Sequence, residues 1–588
     1  MLTALLLSAT LTAQPAILPP TIPWNGASRT LMVPASDPWV TPSEVTAFRT
    51  TPRYDETFAY LRKLVAAAPN LKIVSLGKSP EGRDIWMVIA SKERAFTPEA
   101  LRRSGKPIVF AQAGIHAGEI DGKDAGLMLL RDMTVRGTKR ELLDRANFLF
   151  VPIFNVDGHE RFTRWSRINQ RGPEEGGWRT NARNLNLNRD YMKADSAEMH
   201  AMIRALVTWQ PDLYIDLHVT DGADYQYDVT YGWNGQAGYS PAIAAWLDRN
   251  YRPSVDAHLR AQGHIPGPLI FTDDPLSGIG SGQSDPRLSN GYGDARHLPT
   301  ILVENHSLKP YDQRVLGMYV FLEQTLRTIA AEATALRAAI AADRARRPER
   351  LPLSWRGPAD AKPEQIEFLG VESRRTLSPI SGGVRTEWLG KPVTRTAPLV
   401  RASEVATSVA PAKAYWVPAA WQDVIAKLEL HGIPCERINA PREVEVTMLR
   451  LGEPKHAATQ FEGHVRVTAA ETPERRRETF PPGSVRVMTD HALGTLAALL
   501  LEPSSPDSLF QWGFFNSILS PTEYVEGYIM EPMAERMLAE DPKLADAFRA
   551  KVESDAAFRG DPRARLQWLY EKTQWYDDRA RLYPVGRE

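Results

Sequence analysis

One cysteine, Cys435, stands in a chain of 588 residues. A lone thiol forms no intramolecular disulfide and no thiolate zinc cluster, so any metal site must draw on His, Asp and Glu. An excess of either charge is also missing: 71 Lys and Arg balance 71 Asp and Glu. That balance supplies no electrostatic attraction to nucleic acid or to an anionic membrane surface, and neither is expected as a partner. No run reaches the ~18 apolar residues of a membrane span. Repeats and low-complexity tracts are absent as well.

What is present is ordinary for a globular protein, with 43% hydrophobic and 24% charged residues. The length exceeds what one hydrophobic core normally serves, so two or more domains are expected. The first 13 residues form a short apolar run that ends in small residues, and a Pro-rich stretch follows from Pro15 to Pro23. This reads as a signal peptide over residues 1–13 with an atypical start, since no Lys or Arg precedes the apolar run. Secretion or export to a periplasm is the corresponding expectation.

The first half alternates strand-like and helix-like segments. Expected strands are Leu71–Leu76, Asp84–Ser91, Pro107–Gly114, Asn147–Phe154, Asp212–Val219 and Thr300–Glu304. Several are near-continuous apolar runs, the pattern of strands buried on both faces. Expected helices are Asp55–Ala67, Gly122–Val135, Asp195–Trp209 and Pro241–Gln262, then a long one from Gln313 to Arg344. The alternation predicts an α/β domain with a parallel or mixed sheet over residues 38–347. The long helix ends in cations and Pro348, where a boundary is placed. Residues 350–588 read as an α+β domain, with strand patterns at Val444–Met448 and Val485–Met488 and helices at Ala420–His431 and between Met533 and Tyr570. The run Glu474–Glu478 reads as a solvated loop.

Chemistry concentrates in the first half. The strand Pro107–Gly114 leads into Ile-His116-Ala-Gly-Glu119. Zinc accepts imidazole nitrogen and carboxylate oxygen at ~2.0–2.2 Å, and a catalytic site usually has three protein ligands. His-x-x-Glu alone is weak evidence, since a surface pair at a loop has the same spelling. His218 ends the apolar segment Leu213-Tyr-Ile-Asp216-Leu-His218, where α/β sheets present their sites. A hydrogen-bonded core histidine remains the competing reading. Asp216 shares its strand face and could orient it. Glu304 closes the apolar run Thr300-Ile-Leu-Val, and a carboxylate there is costly unless it is partnered or functional. Asn188 and Arg189 lie in an Asn-rich stretch and offer a neutral donor and a fork suited to a carboxylate, or else belong to a charged surface loop.

Taken in order, His-x-x-Glu, Asn-Arg, a single strand His and a late strand Glu resemble the zinc carboxypeptidase family of carboxypeptidase A, in its larger multidomain form, over about residues 40–340. The resemblance implies a mixed eight-stranded sheet between helices and one zinc ion per chain. It implies His116, Glu119 and His218 as ligands, Glu304 as general base, and Asn188 and Arg189 on the substrate's C-terminal carboxylate. It implies an arginine on the scissile carbonyl, Arg167 or alternatively Arg171, and a tyrosine closing over the substrate, assigned to Tyr292. Asn186 departs from the family, which carries an acid there behind a zinc-bound His. The expected activity is hydrolysis of C-terminal residues of peptides. Amide hydrolysis on a non-peptide substrate and non-catalytic binding of a peptide or cell-wall fragment are the alternatives. The stretch Asp273–Gly293 is expected to line or cover the specificity pocket.

Overall fold

The computed structural model describes residues 17–358, 362–520 and 522–588; the expected signal peptide lies outside the described residues. The first half is built on an eight-stranded mixed sheet. In chain order its strands are β1 (Leu71–Lys78), β2 (Asp84–Ala90), β3 (Ile108–Ala113), β4 (Asn147–Val151), β5 (Leu213–Val219), β6 (Val229–Gly232) and β7 (Pro266–Gly267). A short outlying strand, β8 (Ile279–Ser281), comes next, and β9 (Thr300–Asn305) completes the sheet. The spatial order is β1-β2-β4-β3-β5-β9-β6-β7. The four central strands β4, β3, β5 and β9 run parallel. Every residue of β3, β5 and β9 is buried, as their apolar runs require. Strands β6 and β7 escape a reading based on apolar runs because they are only four and two residues long.

Register does the first part of building the site. The β5–β9 pairing sets His218 directly beside Glu304, and the β3–β5 pairing sets Asp216 beside Gln112. Both carboxyl ends point to the same rim of the sheet, the place where doubly wound sheets gather functional groups.

Helix Asp121–Met133 crosses one face, and all of its residues are buried. Two interior glycines set the closeness of that packing. A Cβ on Gly122 would lie 2.6 Å from Leu217 Cδ1, and one on Gly126 would lie 2.1 Å from Phe150 Cζ. Gly costs about 1 kcal/mol relative to Ala inside a helix; here the cost is offset by the approach of helix to sheet. The expected helix Pro241–Gln262 is interrupted. It runs Pro241–Trp246, widens to a π-turn over Leu247–Tyr251, and resumes as Arg252–Ala261. Pro253 has no N–H to continue the ladder, which accounts for the break. The long helix spans Tyr311–Arg344 and buries its stripe of Val315, Tyr319, Leu322, Leu326, Ile329, Leu336 and Ile340.

From Leu351 onward the chain is β-rich. It holds a six-stranded antiparallel sheet that includes Arg442–Leu451 and Glu471–Phe480, and a segmented helical run from Gly527 to Tyr570. The charged run Glu474–Glu478 is therefore strand, not loop. It lies at the sheet edge and pairs residue by residue with Arg442–Leu451. Its charges meet opposite charges across the pair, Arg477 with Glu443 and Glu445, and Glu474 with Arg450. A charged edge strand also resists edge-to-edge aggregation. One buried apolar cluster runs through both halves, joining Leu206 and Ile301 to Tyr415, Leu428 and Leu496.

Replacing Gly126 by Ala is expected to cost about 1–3 kcal/mol, the usual range for overpacking a dense core. Denaturant unfolding should show the lowered midpoint; an unchanged midpoint would mean that helix and sheet are free to separate.

Candidate metal centre

Three side chains from two chain segments meet at one point. His116 and Glu119 lie on the turn that leaves β3, with Glu119 N–H donating to His116 O over 2.9 Å. His218 lies on β5. The Nδ1 atoms of the two histidines are 3.2 Å apart. His116 Nδ1 is 3.1 Å from both Glu119 oxygens, and His218 Nδ1 is 2.9 Å from Glu119 Oε2. Ligands of a tetrahedral zinc with ~2.0–2.1 Å bonds are themselves separated by ~3.3 Å. All three residues are buried.

The far nitrogens explain why the near ones are available. His218 Nε2 lies 2.7 Å from Asp216 Oδ2, and His116 Nε2 lies 2.9 Å from Asn186 Oδ1. Asn186 Oδ1 also accepts the Asn188 N–H, which orients the amide with its oxygen towards His116. Each imidazole thus holds a proton on Nε2 and turns Nδ1 inward. Burial lowers His116 to about 4, so it is neutral. Burial also opposes charge on His218, but Asp216 and Glu119 outweigh it and hold that imidazole well above its ordinary value. Burial opposes ionisation of Glu119, yet His116 and Arg167 keep its carboxyl well below the usual range. Three inward-facing electron-pair donors share one proton, which is an arrangement that suits a divalent cation.

Around this cluster stand two arginines and a carboxyl group. Arg167 Nη1 and Arg179 Nη1 lie 2.9 and 3.2 Å from Glu119 Oε1. Gly118 permits the first contact, since a Cβ there would lie 2.6 Å from Arg167 Cγ. Arg167 itself adopts φ +54°, a conformation rare for a non-glycine residue. Glu304 is 8% exposed, and its Oε2 is buried without a hydrogen-bond partner. Burial raises it to about 8, with the His218 charge opposing and the Glu119 charge adding to the rise. A buried carboxyl oxygen without a partner in a site rich in charge is a candidate for chemistry.

With this geometry in view, the comparisons with known proteins bear on it directly. Residues 57–265 match the family described as zinc carboxypeptidase. This part of the chain is a zinc carboxypeptidase domain. Carboxypeptidase 2 of Trichophyton rubrum is 23% identical over 485 residues, covering 79% of this chain and 84% of that protein. Human carboxypeptidase D is 29% identical over 185 residues, which is 30% of this chain and 12% of that protein. The structure of carboxypeptidase A from Helicoverpa armigera aligns at 20% identity and a TM-score of 0.36, over 50% of this chain and 75% of that one. The family match supports a hydrolase of the metallocarboxypeptidase kind. Glu304 lies beyond the matched segment.

The remaining expected residues of the carboxypeptidase divide. Arg167 reaches the cluster, whereas Arg171 is held elsewhere: its Nε donates to Leu308 O over 2.9 Å and its Nη2 donates to Pro19 O. Asn188 is buried, with Oδ1 accepting from Ser289 N and Nδ2 3.3 Å from His218 Nε2. It lies behind His218 instead of projecting into solvent. Arg189 is half-buried and donates to Asn188 O over 2.7 Å. Tyr292 is not near the cluster in the way a closing lid requires. It sits in a buried helix, Ser289–Ala295, with its hydroxyl 2.8 Å from His431 Nδ1 and 3.1 Å from Arg296 Nη1. The assignment of Tyr292 as a substrate-closing residue is therefore corrected: burial and these bonds tie it to the second half of the chain.

The stretch Asp273–Gly293 divides too. Ile279–Ser281 pairs with Leu399–Arg401 of the β-rich half, while Ser289 N supports Asn188. Sequence reasoning passed over Arg179 and Glu462. The first was one of six arginines between Arg161 and Arg183 with no mark to single it out. The second lies 276 residues from its partner, the Asn186 N–H, at 2.7 Å.

Two outcomes follow. Tyr292→Phe should lower stability by about 1–3 kcal/mol, through the lost bond and the unsatisfied His431, and leave peptide hydrolysis within about twofold; a large fall in kcat without loss of Tm would restore a substrate role. Zinc loading of the metal-free protein near pH 7 should release about one proton or more, since a ligand nitrogen must lose its proton. Calorimetry in buffers of different ionisation enthalpy measures this directly.

Proposed function

We propose that this chain removes C-terminal residues from peptides, with one zinc ion held by His116, Glu119 and His218 and with Glu304 as general base. The observation that carries this reading is the convergence of three buried donor groups beside an unpartnered buried carboxyl on the adjoining strand. Zinc, when bound, lowers the pKa of a coordinated water and polarises a carbonyl.

The protein's own groups supply the rest. With a divalent cation held by His116, Glu119 and His218, Glu304 would favour its carboxylate form against the burial that raises it. The ionised Glu304 takes the proton of the attacking water and returns it to the leaving amine. Arg167, already at the rim of the cluster, offers its cation to the oxygen that gains charge. Arg189 grips the terminal carboxylate and so fixes the distance from the chain end to the cleaved bond. Asp216 and Asn186 hold the two imidazoles in their tautomers. Asn188, fixed by the Ser289 N–H on its Oδ1, positions Arg189 through its main-chain carbonyl. Among the described residues no helix is long and apolar enough to cross a membrane. The apolar run before Ala13 supports action outside the cytoplasm.

A non-catalytic binding protein would need no acid beside the three donor groups, so the binding reading is not favoured. Glu304→Gln should retain zinc, read by metal analysis, and lose kcat about 10²–10⁴-fold, the usual contribution of general base catalysis. Hydrolysis of peptides at the parental rate by this variant would remove Glu304 from the mechanism. Cleavage of N-acylated amino acids but no peptide by the parent would transfer the site to the amidase class.

A further inference from the structure

A buried acid stands behind the metal centre without a part in the chemistry proposed for it. Glu198 lies in the first turn of the helix Ala197–Trp209 and is fully buried. Among the described residues its carboxyl enters no ion pair. Burial raises it to about 7; the charges of Asp157 and Asp190 add to the rise, and a hydrogen bond from Asn181 opposes it. An acid so placed is costly unless a donor meets it. Asn181 Nδ2 is that donor, 3.3 Å from each carboxyl oxygen. The helix start is itself fixed. Ser196 Oγ accepts the Met199 N–H at 3.1 Å, and Asp190 accepts the Ser196 N–H and hydroxyl at 2.9 and 2.7 Å. Asp195, next to Ser196, meets Lys427 and His464 of the β-rich half.

What Glu198 holds is the plug of a loop. Asn181 is 3% exposed, and its Oδ1 accepts the N–H groups of Arg183 and Leu185, each at 3.0 Å. The main chain closes the same loop: Asn181 N–H donates to Leu185 O and Asn184 N–H donates to Asn181 O, both over 3.0 Å. The tip, residues 182–184, is exposed, so the loop is held from within by one side chain. On both flanks of that loop the chain reaches the metal centre. Arg179 Nη1 lies 3.2 Å from Glu119 Oε1 on one side, and Asn186 Oδ1 lies 2.9 Å from His116 Nε2 on the other. Asn186 directly follows Leu185, whose N–H and carbonyl Asn181 both holds.

We propose that Glu198 is a positioning residue for the metal centre: by fixing Asn181 it fixes the loop of residues 181–185, and through that loop the Asn186 amide that orients His116 and the Arg179 cation beside Glu119. This rests on the metal-centre reading above. The physical reason lies in the amide of Asn181. Its oxygen is committed to two loop N–H groups, so its NH₂ must find an acceptor where water does not reach. Glu198 supplies one. Without it a buried donor is left bare, and the side chain relieves that cost by leaving the loop. A competing role exists, since an acid in a first turn also complements the N-terminus of its helix. That role bears on helix stability and not on the metal.

The test compares Glu198→Gln with Glu198→Met in the full chain. Both side chains match glutamate in length, and only glutamine offers Asn181 an acceptor. Zinc affinity of the metal-free protein is read by competition with a chelator, and the ligand geometry by the visible spectrum of the cobalt(II)-loaded chain. Glu198→Met should weaken zinc binding about tenfold, the lower end of what groups supporting a ligand contribute. It should also shift the cobalt spectrum in the same direction as Asn186→Ala. Glu198→Gln should restore most of the affinity and the parental spectrum. Asn181→Ala cuts the chain of contacts at its other link and serves even where Glu198→Met does not fold. It should weaken zinc to a similar degree, and the double variant should be no worse than either single one, because both changes break one network. A Glu198→Met chain with a lowered Tm but an unchanged zinc affinity and cobalt spectrum has lost a helix-start acid only, and that result overturns the proposal. A parent chain that takes up no zinc overturns the metal-centre reading beneath it instead.

Discussion

The carboxylate of Glu119 sits in the interior with two imidazoles and two guanidinium groups around it. Burying one carboxylate is expensive unless charges and hydrogen bonds compensate it. Here the compensation is supplied from four places: His218 on β5, Arg167 and Arg179 in the loop that follows β4, and the Val219 N–H. Each must be placed to within a few tenths of an ångström. Much of the surrounding architecture can be understood as the apparatus that holds them. The helix with glycines at 122 and 126 lies close on the sheet behind Glu119, Gly118 makes room for Arg167, and the β5–β9 register brings Glu304 alongside.

The site also shows how environment separates two chemically similar groups. Glu119 and Glu304 are both buried carboxyls within one cluster. The first is surrounded by cations and donors and remains ionised; the second has a bare oxygen and is pushed up to about 8. Opposed environments of this kind suit the opposed roles proposed above, one to hold a cation and one to move a proton. The two histidines divide likewise. His218 is backed by a carboxylate, whereas His116 is backed by the amide of Asn186, a weaker acceptor that leaves the imidazole less basic. Negative charge is not missing from that side of the site, since Glu462 arrives on the Asn186 backbone from a distant part of the chain.

That contact changes the meaning of the β-rich half. Its apolar residues join the same buried cluster as the sheet of the first half, its His431 holds Tyr292, and its Asp507 holds Arg287. These are structural services, and they explain why Tyr292, which by position along the chain invited a substrate role, is withdrawn into the interior. Glu462 adds one more contact of this kind, accepting the Asn186 N–H at 2.7 Å.

The order of elements and the apolar runs of β3, β5 and β9 were legible from the amino-acid sequence, because buried parallel strands must be apolar; that His116, Glu119 and His218 come together followed from the resemblance, and Glu304 stood out because a charged residue ending such a strand demands a reason. Asp216 was legible beside His218 because strand geometry alone puts alternate residues on one face. The run Glu474–Glu478 was misread because a charged edge strand and a solvated loop have the same composition; only the facing charges of Arg442–Leu451 tell them apart. Whether Arg167 or Arg171 approaches Glu119, whether Tyr292 faces a substrate or a neighbour, and that Glu462 lies beside Asn186 depended on contacts between residues tens to hundreds of positions apart. Local periodicity carries no record of such contacts; they exist only once the chain has packed, and there the tertiary structure alone decided.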